Sequence, residues 1–257
     1  MRICVYTICW NEGYMMPFFL RHYSQWADKI VVWDERSTDG TREAVKACPK
    51  AELREWPFQG LNDDHFKEAQ NEWWKPERAL WDFILWPDVD ELLHHPNMRE
   101  VLELRHRQGY SLIPSRGYAM VPESPPADDG KSQFYELCKL GMKTPNYDKT
   151  LIFDPQKEVV WDCGRHVILR HNGVLFPDPE VRLFHCHFLG PRYTEVRNKR
   201  NYDRAPVKGF AWNYAEEHNR PDVPGTNRWI NAVLRDQKAF DVVSNGWSRP
   251  LEKRWTL

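Results

Sequence analysis

The sequence lacks long apolar runs and an excess of either charge. No stretch approaches the roughly 20 apolar residues that a membrane-spanning helix needs. The apolar run at the start ends at Asn11 and Glu12, too early for the core of a signal peptide. With 36 basic and 37 acidic residues among 257, the net charge is −1. This balance argues against a chain-wide electrostatic grip on nucleic acid or acidic lipid, although a local basic patch is compatible with it.

Paired cysteines are also absent. The six cysteines are scattered along the chain and form no Cys-x-x-Cys motif. This pattern is typical of reduced thiols in a cytosolic protein. We therefore expect a cytoplasmic protein that, without a membrane helix, would work at a membrane only peripherally, through partners.

Glycine-rich phosphate-binding motifs are missing as well. Neither GxGxxG nor GxxxxGK followed by Ser or Thr occurs, which disfavours a Rossmann dinucleotide site and a P-loop.

Aromatic residues, in contrast, are plentiful, with 13 Trp, 10 Tyr and 12 Phe. This composition favours a core filled with large rings over stacking platforms for bases or sugars.

The first half of the chain alternates segments typical of strands and helices. Apolar runs at 3–8, 30–33, 51–56 and 81–86 predict strands, and the stretches between them show helical periodicity. Such alternation predicts an α/β fold with a mostly parallel central sheet, flanked by helices. Ligands of these sheets bind at the carboxyl ends of the strands. Polar residues follow three of the runs there, after Ile8, Trp33 and Trp86.

The second half is less regular. We expect helices at 98–106, 192–204 and 227–240, and short strands at 110–122, 150–153, 159–161, 167–169 and 181–186. No repeat or flexible linker divides the chain. We therefore expect a single domain, 1–257. Its first part, residues 1–95, would bind nucleotide and metal, and its second part, residues 96–257, would complete the site on the side where a second substrate, the acceptor, binds.

Asp88-Val89-Asp90 is the sharpest local motif. In an extended segment, residues two apart point to the same side, so the two carboxylates together would hold a hard divalent cation. A pair of solvated acids in a turn after Pro87 is the alternative. The position directly after a buried strand favours the metal site.

Two further polar loops are candidates for binding a nucleotide. The turn at 7–12 offers backbone groups, a ring and a carboxylate to a base and ribose. The loop at 34–41 offers Asp34 as an acceptor for a hydrogen bond from the base or ribose.

Together these segments carry a family resemblance. The stretch VYTICWNEGYMMPFFLRHYSQWADKIVVWDERSTDGTREAV, the later WPDVDELLHHP and the C-terminal LFHCHFLG resemble family 2-like glycosyltransferases of GT-A fold. The family commonly shows T-x-x-x-N-E, D-x-x-S-T-D-x-T and D-x-D at three strand ends, and all three occur here in order. The clear resemblance covers roughly 2–95 and 145–204.

The resemblance implies a nucleotide-sugar donor, with uracil as the base by family habit, and a Mn²⁺ or Mg²⁺ ion on its diphosphate. The implied metal ligands are Asp88, Asp90 and His185, with His187 the less favoured choice in place of His185. The expected contacts to the donor nucleotide and its phosphates are Thr7, Asn11, Glu12, Asp34, Asp88, Lys149 and His166, with Arg165 a further candidate.

The resemblance also implies a hexosyl or pentosyl transfer to a hydroxyl group that inverts the anomeric centre, which needs a carboxylate base. We assign Asp90 and Glu136 to catalysis, Glu136 as the base in preference to Asp148, Asp162 and Glu123. A saccharide, a lipid-linked glycan and a hydroxymethylated DNA base all stay open as acceptors, and so does the oligomeric state.

Two alternatives compete with this interpretation. Cys163, His166, His185 and His187 offer four zinc ligands, which would suit a zinc-binding structural or nucleotide-binding protein without transferase activity. Residues 191–208 carry six basic and two acidic residues. We favour a solvated charged helix there over a phosphate clamp or a grip on a polyanionic acceptor such as nucleic acid.

Overall fold

The chain forms an α/β fold in the computed structural model, which describes residues 1–58, 60–204 and 240–243. The strands are β1 (Ile3–Cys9), β2 (Lys29–Asp34), β3 (Ala51–Glu55), β4 (Phe83–Leu85), β5 (Glu91–His94), β6 (Leu112–Met120), β7 (Leu140–Lys143), β8 (Lys149–Phe153), β9 (Val159–Trp161), β10 (Ile168–His171), β11 (Val181–His185) and β12 (Phe240–Asp241). The α-helices are α1 (Met16–Tyr23), α2 (Thr41–Ala47), α3 (Asp63–Glu72), α4 (Met98–Arg107), α5 (Phe134–Leu137) and α6 (Pro191–Arg204), and short 3₁₀ helices cover Lys75–Leu80, Pro145–Tyr147 and Cys163–Arg165.

Four parallel strands form the N-terminal half of the sheet, in the order β3-β2-β1-β4. The helices α1, α2 and α3 lie in the three connections between them. Asn62 caps α3, because its side-chain oxygen accepts hydrogen bonds from the backbone N–H groups of Asp64 and His65. The predicted α/β fold, with its central sheet flanked by helices, is confirmed.

The second half extends the same sheet with strands of both directions. The strand β8 is antiparallel to β4, and β6 is antiparallel to β8. Two reversals restore the original direction, so β6 and its parallel neighbour β11 run the same way as β4. The carboxyl end of β11 therefore lies on the same edge of the sheet as the carboxyl ends of β1, β2 and β4.

Successive residues of β1 pack on opposite faces of the sheet. Ile3 and Val5 belong to one core cluster, which includes Phe18 and Phe19 of α1. The next residues along, Cys4 and Tyr6, belong to a second cluster on the other face. That cluster contains four tryptophans whose side chains are almost fully buried, Trp56, Trp74, Trp86 and Trp161. The abundant aromatic residues thus serve largely as core, as the composition predicts.

The elements expected in the second half are present within a few residues of the predicted bounds, except for the helix at 227–240, of which 227–239 lie outside the described residues. Three strands were not predicted: β5 and β7, each four residues long, and the two-residue β12, which includes Phe240, the expected last residue of that helix. Within the described part of the chain, no helix combines the length and apolar character needed to cross a membrane.

Candidate functional site

Asp90, His185 and His187 meet at the carboxyl edge of the sheet. Asp90 directly precedes β5, and β5 pairs antiparallel with β11 so that Glu91 lies opposite His185. The backbone N–H of Cys186 donates to the carbonyl oxygen of Asp90 at 2.7 Å, which fixes the two segments together. The ligand atoms of Asp90, His185 and His187 all lie within 4.8 Å of one another.

This cluster has the chemistry of a divalent metal site. Burial acts to raise the pKa of Asp90, but Arg197 and the two imidazoles outweigh it, so its pKa lies well below the usual value. Burial, reinforced by Arg197, lowers the pKa of His187 to about 4. At neutral pH the site therefore offers a carboxylate and a neutral imidazole, the forms that bind metal ions. Two imidazoles and one carboxylate suit a first-row transition ion such as Mn²⁺ better than Mg²⁺, which prefers oxygen ligands.

The 3₁₀ helix Pro145–Tyr147 supports the cluster from one side. The ring of Tyr147 packs edge-on against His185, with the ring centroids 4.3 Å apart. This packing needs Gly117 in β6, because a Cβ atom there would lie 2.3 Å from the carbonyl carbon of Tyr147. The backbone N–H of Gly117 also donates to Asp148 at 2.7 Å.

The helix α6 places three arginines over the same edge. Arg197, Arg200 and Arg204 share one helix face, since they are spaced by three and four residues. Arg197 contacts Asp90 Oδ2 at 2.6 Å through Nη1 and Glu12 Oε1 at 3.2 Å through Nη2. Burial acts against its charge, but Asp90 and Glu12 raise the pKa of Arg197 well above the usual value, so the guanidinium stays protonated.

The other two arginines contact residues after β1 and β2. Arg200 donates to the carbonyl oxygen of Asn11 at 2.5 Å and lies 3.3 Å from Glu12 Oε1. Arg204 pairs with Glu35. Its guanidinium carbon lies 3.8 Å from the ring centroid of Trp10, a cation–π contact. Every partner of these arginines thus comes from a loop at the carboxyl edge.

Asp88 lies in a different environment from Asp90. The segment is a turn instead of an extended strand, because the backbone N–H of Glu91 donates to the carbonyl oxygen of Asp88 at 2.9 Å. The two carboxylates consequently diverge, and Asp88 Oδ1 pairs with Arg165 Nη2 at 2.5 Å. Within the described residues, Asp88 is not part of the three-residue cluster. Its role as a metal ligand stays a prediction.

Buried ion pairs surround Asp88. Lys149 Nζ lies 2.6 Å from Glu91 Oε1, with both side chains buried. Arg165 follows Gly164, and both residues have positive φ, 60° and 77°, which turns the chain sharply and buries the Arg165 side chain. Gln70 Oε1 accepts a hydrogen bond from Arg165 Nη1 at 3.1 Å. Burial acts to raise the pKa of Asp88, but the positive charges of Arg165 and Lys149 lower it below its usual value.

The predicted nucleotide contacts differ in how accessible they are. Glu12 reaches the arginines of α6 as described, and Asn11 lies beside it with φ 51°. Thr7 is fully buried. The carboxylate of Asp34 is also buried and binds Arg42 and the backbone N–H of Ser37. These bonds tie Asp34 to its own loop, and its role in binding a nucleotide stays a prediction.

The remaining predicted residues lie outside the cluster. His166 contacts the carbonyl oxygen of Asn146 through Nδ1 at 2.8 Å. Glu136 is exposed on α5 and accepts a hydrogen bond from the backbone N–H of Gln133 at 2.7 Å, as one half of a capping box. Its assignment as the base stays a prediction.

The four-ligand zinc hypothesis is wrong for the described residues. Cys163 Sγ lies 4.0 Å from the carbonyl oxygen of Asp63, and neither Cys163 nor His166 belongs to the cluster that contains His185 and His187.

The expectation of a solvated charged helix at 191–208 also needs correction. Arg197, Arg200 and Arg204 pair inward with acidic side chains and backbone, and 205–208 lie outside the described residues.

Sequence reasoning undervalued His187 and the arginines of α6. The His-x-His spacing at the end of a strand was a usable signal, because residues two apart share a side there. The spacing of Arg197, Arg200 and Arg204 was a second signal for a shared face. Neither pattern indicates which acidic groups the face meets.

Comparisons with known proteins give partial structural likenesses. No family model matches the chain, and no curated protein matches it. Glucosyl-3-phosphoglycerate synthase from Mycobacterium tuberculosis, solved with Mn²⁺, UDP and glucosyl-3-phosphoglycerate, is 18% identical with a TM-score of 0.31, over 46% of this chain and 44% of its own. Mannosyl-3-phosphoglycerate synthase from Rubrobacter xylanophilus is 16% identical with a TM-score of 0.33, over 50% and 43%. S. aureus TarS 1-349 is 12% identical with a TM-score of 0.39, over 85% and 68%.

These three proteins are family 2-like glycosyltransferases of GT-A fold, the family that the sequence resembles. The match spans less than half the length of the two synthases. Each identity is below 20% and each TM-score below 0.5, so only the chain's own geometry bears on its activity.

Proposed function

We propose that the protein is a metal-dependent glycosyltransferase that moves a sugar from a nucleoside-diphosphate sugar, a UDP-sugar in the first instance, to a hydroxyl acceptor. The observation that carries the proposal is the cluster of Asp90, His185 and His187 beneath Arg197 and Arg200, at the edge of the sheet where the parallel strands β1, β2, β4 and β11 end. Cation ligands and guanidinium donors converging at one edge suit a diphosphate. The ordered loops after β1 and β2 lie beside it, where a nucleoside would bind.

Each group has a defined task in this scheme. Asp90, His185 and His187 would hold a divalent cation, which when bound stabilises the negative charge that develops on the leaving diphosphate. Arg197 and Arg200 donate hydrogen bonds to the same phosphate oxygens without proton transfer. Glu12 orients the two guanidinium groups, because it contacts both.

The assignment of residues that act on the acceptor rests on the sequence alone. We assign inverting transfer, with Glu136 as the base that accepts the proton of the acceptor hydroxyl. Glu136→Gln is expected to abolish transfer and to preserve binding of the donor, with Glu100→Gln, at an exposed position on α4, as the matched control. Unchanged transfer by Glu136→Gln removes this residue from the mechanism, and the anomeric configuration of the product, read by NMR, tests inversion.

We propose a saccharide or lipid-linked glycan as the acceptor in preference to a hydroxymethylated DNA base. A polyanion would need arginines of 191–208 that are free to bind it. Three of these arginines instead form ion pairs within the chain, with Asp90, Glu12 and Glu35. A cytoplasmic location is part of the proposal, and the six free cysteines support a reducing compartment.

Calorimetric titration of UDP and GDP, with and without Mn²⁺, tests the donor site. We expect metal-dependent binding of UDP that is lost in Asp90→Ala and retained in Glu100→Ala, a control at an exposed position on α4. Asp88→Ala in the same series shows whether Asp88 also binds the metal. If no nucleoside diphosphate binds, or if Asp90→Ala binds as the wild type does, the proposal is refuted.

The ligand set itself favours a second candidate. Two histidines and one carboxylate also bind Fe²⁺ in non-haem oxygenases. Consumption of O₂ by the Fe²⁺-loaded protein with a 2-oxo acid, together with no binding of UDP, would favour this candidate. The arginine row over the metal cluster supports the transferase.

A further inference from the structure

Arg197 lies where a metal ion would need to bind. Its Nη1 is 2.6 Å from Asp90 Oδ2 and 2.8 Å from His187 Nδ1. Asp90 and His187 are two members of the three-residue cluster, and a carboxylate oxygen and an imidazole nitrogen are the atoms by which such residues bind a metal ion. A hydrogen bond from the guanidinium to His187 Nδ1 uses the lone pair that a metal ion would require. Arg197 in this position and a metal ion on the same atoms therefore exclude each other.

The charges of the free site are balanced without a metal ion. Asp90 and Glu12 carry two negative charges, and Arg197 and Arg200 carry two positive charges. A divalent cation entering alone would add two positive charges beside two guanidinium groups. A nucleoside diphosphate entering with the cation brings compensating negative charge and gives Arg197 a new partner.

Arg197 and Arg200 also have N–H donors that no acceptor of the described residues uses. The Nε atoms of both are buried, and within the described residues neither has a hydrogen-bond partner. A guanidinium group has five N–H donors, so a phosphate oxygen at this position would satisfy donors that the free protein leaves unused.

We propose that Arg197 is an internal competitor of the metal ion, which makes binding of the metal dependent on binding of the nucleoside diphosphate. In the free protein Arg197 holds Asp90 and His187. In the loaded protein the cation takes these atoms and Arg197 turns to the phosphates. This inference rests on the proposed function, since it concerns the same site. Thermodynamic reciprocity then requires the metal to strengthen nucleotide binding by the same factor.

Titration of Mn²⁺ into the full chain, followed by the EPR signal of free Mn²⁺, tests the inference with and without UDP. For the wild type we expect UDP to tighten Mn²⁺ binding by about tenfold or more. Arg197→Met is expected to tighten Mn²⁺ binding in the absence of UDP by about tenfold and to reduce the effect of UDP severalfold. Lys199→Met, an exposed position on the same helix, is the matched control and should behave as the wild type.

The outcomes separate the inference from the proposed function. Equal Mn²⁺ affinity of the wild type and Arg197→Met, or wild-type affinity that UDP leaves unchanged, overturns the inference while the site itself stands. If Arg197→Met fails to fold, Arg197→Gln, which keeps a polar side chain without the positive charge, takes its place with the same expected result. A lack of Mn²⁺ binding with UDP present, or binding that Asp90→Asn leaves unchanged, refutes the proposed function instead.

Discussion

At the scale of single residues, Asp90 is held by polar contacts from three side chains. Its Oδ2 atom lies within 3.5 Å of nitrogen atoms of Arg197, His187 and His185. Three positive or metal-binding groups around one buried carboxylate are costly unless the charges compensate each other. The two sides of the turn at 88–90 therefore have different chemistry, with Asp90 in the imidazole cluster and Asp88 beside Arg165.

Substitution of His187 tests at this scale whether the three-residue cluster binds a metal ion. Loss of even an outer-shell partner of a metal ligand costs roughly 10- to 100-fold in metal affinity, and loss of a ligand should cost at least as much. We expect His187→Ala to weaken Mn²⁺ binding in the presence of UDP by about that factor or more. His171→Ala, an exposed histidine on β10, is the matched control. Mn²⁺ affinity equal to the wild type's in His187→Ala would exclude this imidazole from the site.

At the scale of secondary-structure elements, the close approach of β6 to the 3₁₀ helix Pro145–Tyr147 supports the metal cluster. Gly117 permits this approach, since a Cβ atom would lie within 2.5 Å of backbone and side-chain atoms of Tyr147. The neighbouring backbone must shift to relieve such an overlap, and Tyr147 is the residue that packs on His185.

Gly117→Ala is therefore expected to lower the free energy of unfolding by about 1–3 kcal/mol, the usual cost of overpacking. It should also weaken Mn²⁺ binding, because the support of His185 moves. Arg116→Ala, the exposed preceding residue, should change the unfolding free energy by less than about 0.5 kcal/mol. Urea denaturation measures both variants. A stability of Gly117→Ala equal to that of Arg116→Ala would show that the approach is not tight.

At the scale of the whole molecule, one buried and two half-buried histidines make the stability depend on pH. Burial lowers the pKa of His22 to about 4, that of His94 to about 3 and that of His95 to about 4. These three side chains line one cavity together with Trp26 and Tyr135. In the unfolded chain the same imidazoles take up protons near pH 6.5.

The unfolded state consequently binds more protons than the folded state between about pH 6.5 and 4. The free energy of unfolding should fall as the pH is lowered through this window, by about 3 kcal/mol for His22 alone. Denaturation at several pH values checks this, and His22→Phe should show a shallower fall because the titrating group is gone. A fall of the same size in His22→Phe and the wild type would contradict the assignment to His22.

The parallel half of the fold and the position of the site were determined by the sequence itself. Strand alternation, helical periodicity and turn residues are local signals, and they locate β1, β2, β4 and the loops after them within a few residues. The Asp-x-Asp motif points to the carboxyl edge for the same reason, and the family resemblance adds His185 to it. Together they predict where the site lies before any distance between its parts is known.

The tertiary structure alone decided which side chains meet there. Asp90 faces His185 because β5 pairs with β11, and Arg197 reaches Asp90 across 107 residues of sequence. Asp88 turns away because a backbone hydrogen bond closes the turn at Glu91. The partners of a helix face depend on how the helix docks, and docking is set by long-range packing. Hydrophobic periodicity therefore predicts that a helix forms at α6, but not that its arginines contact Asp90, Glu12 and Glu35.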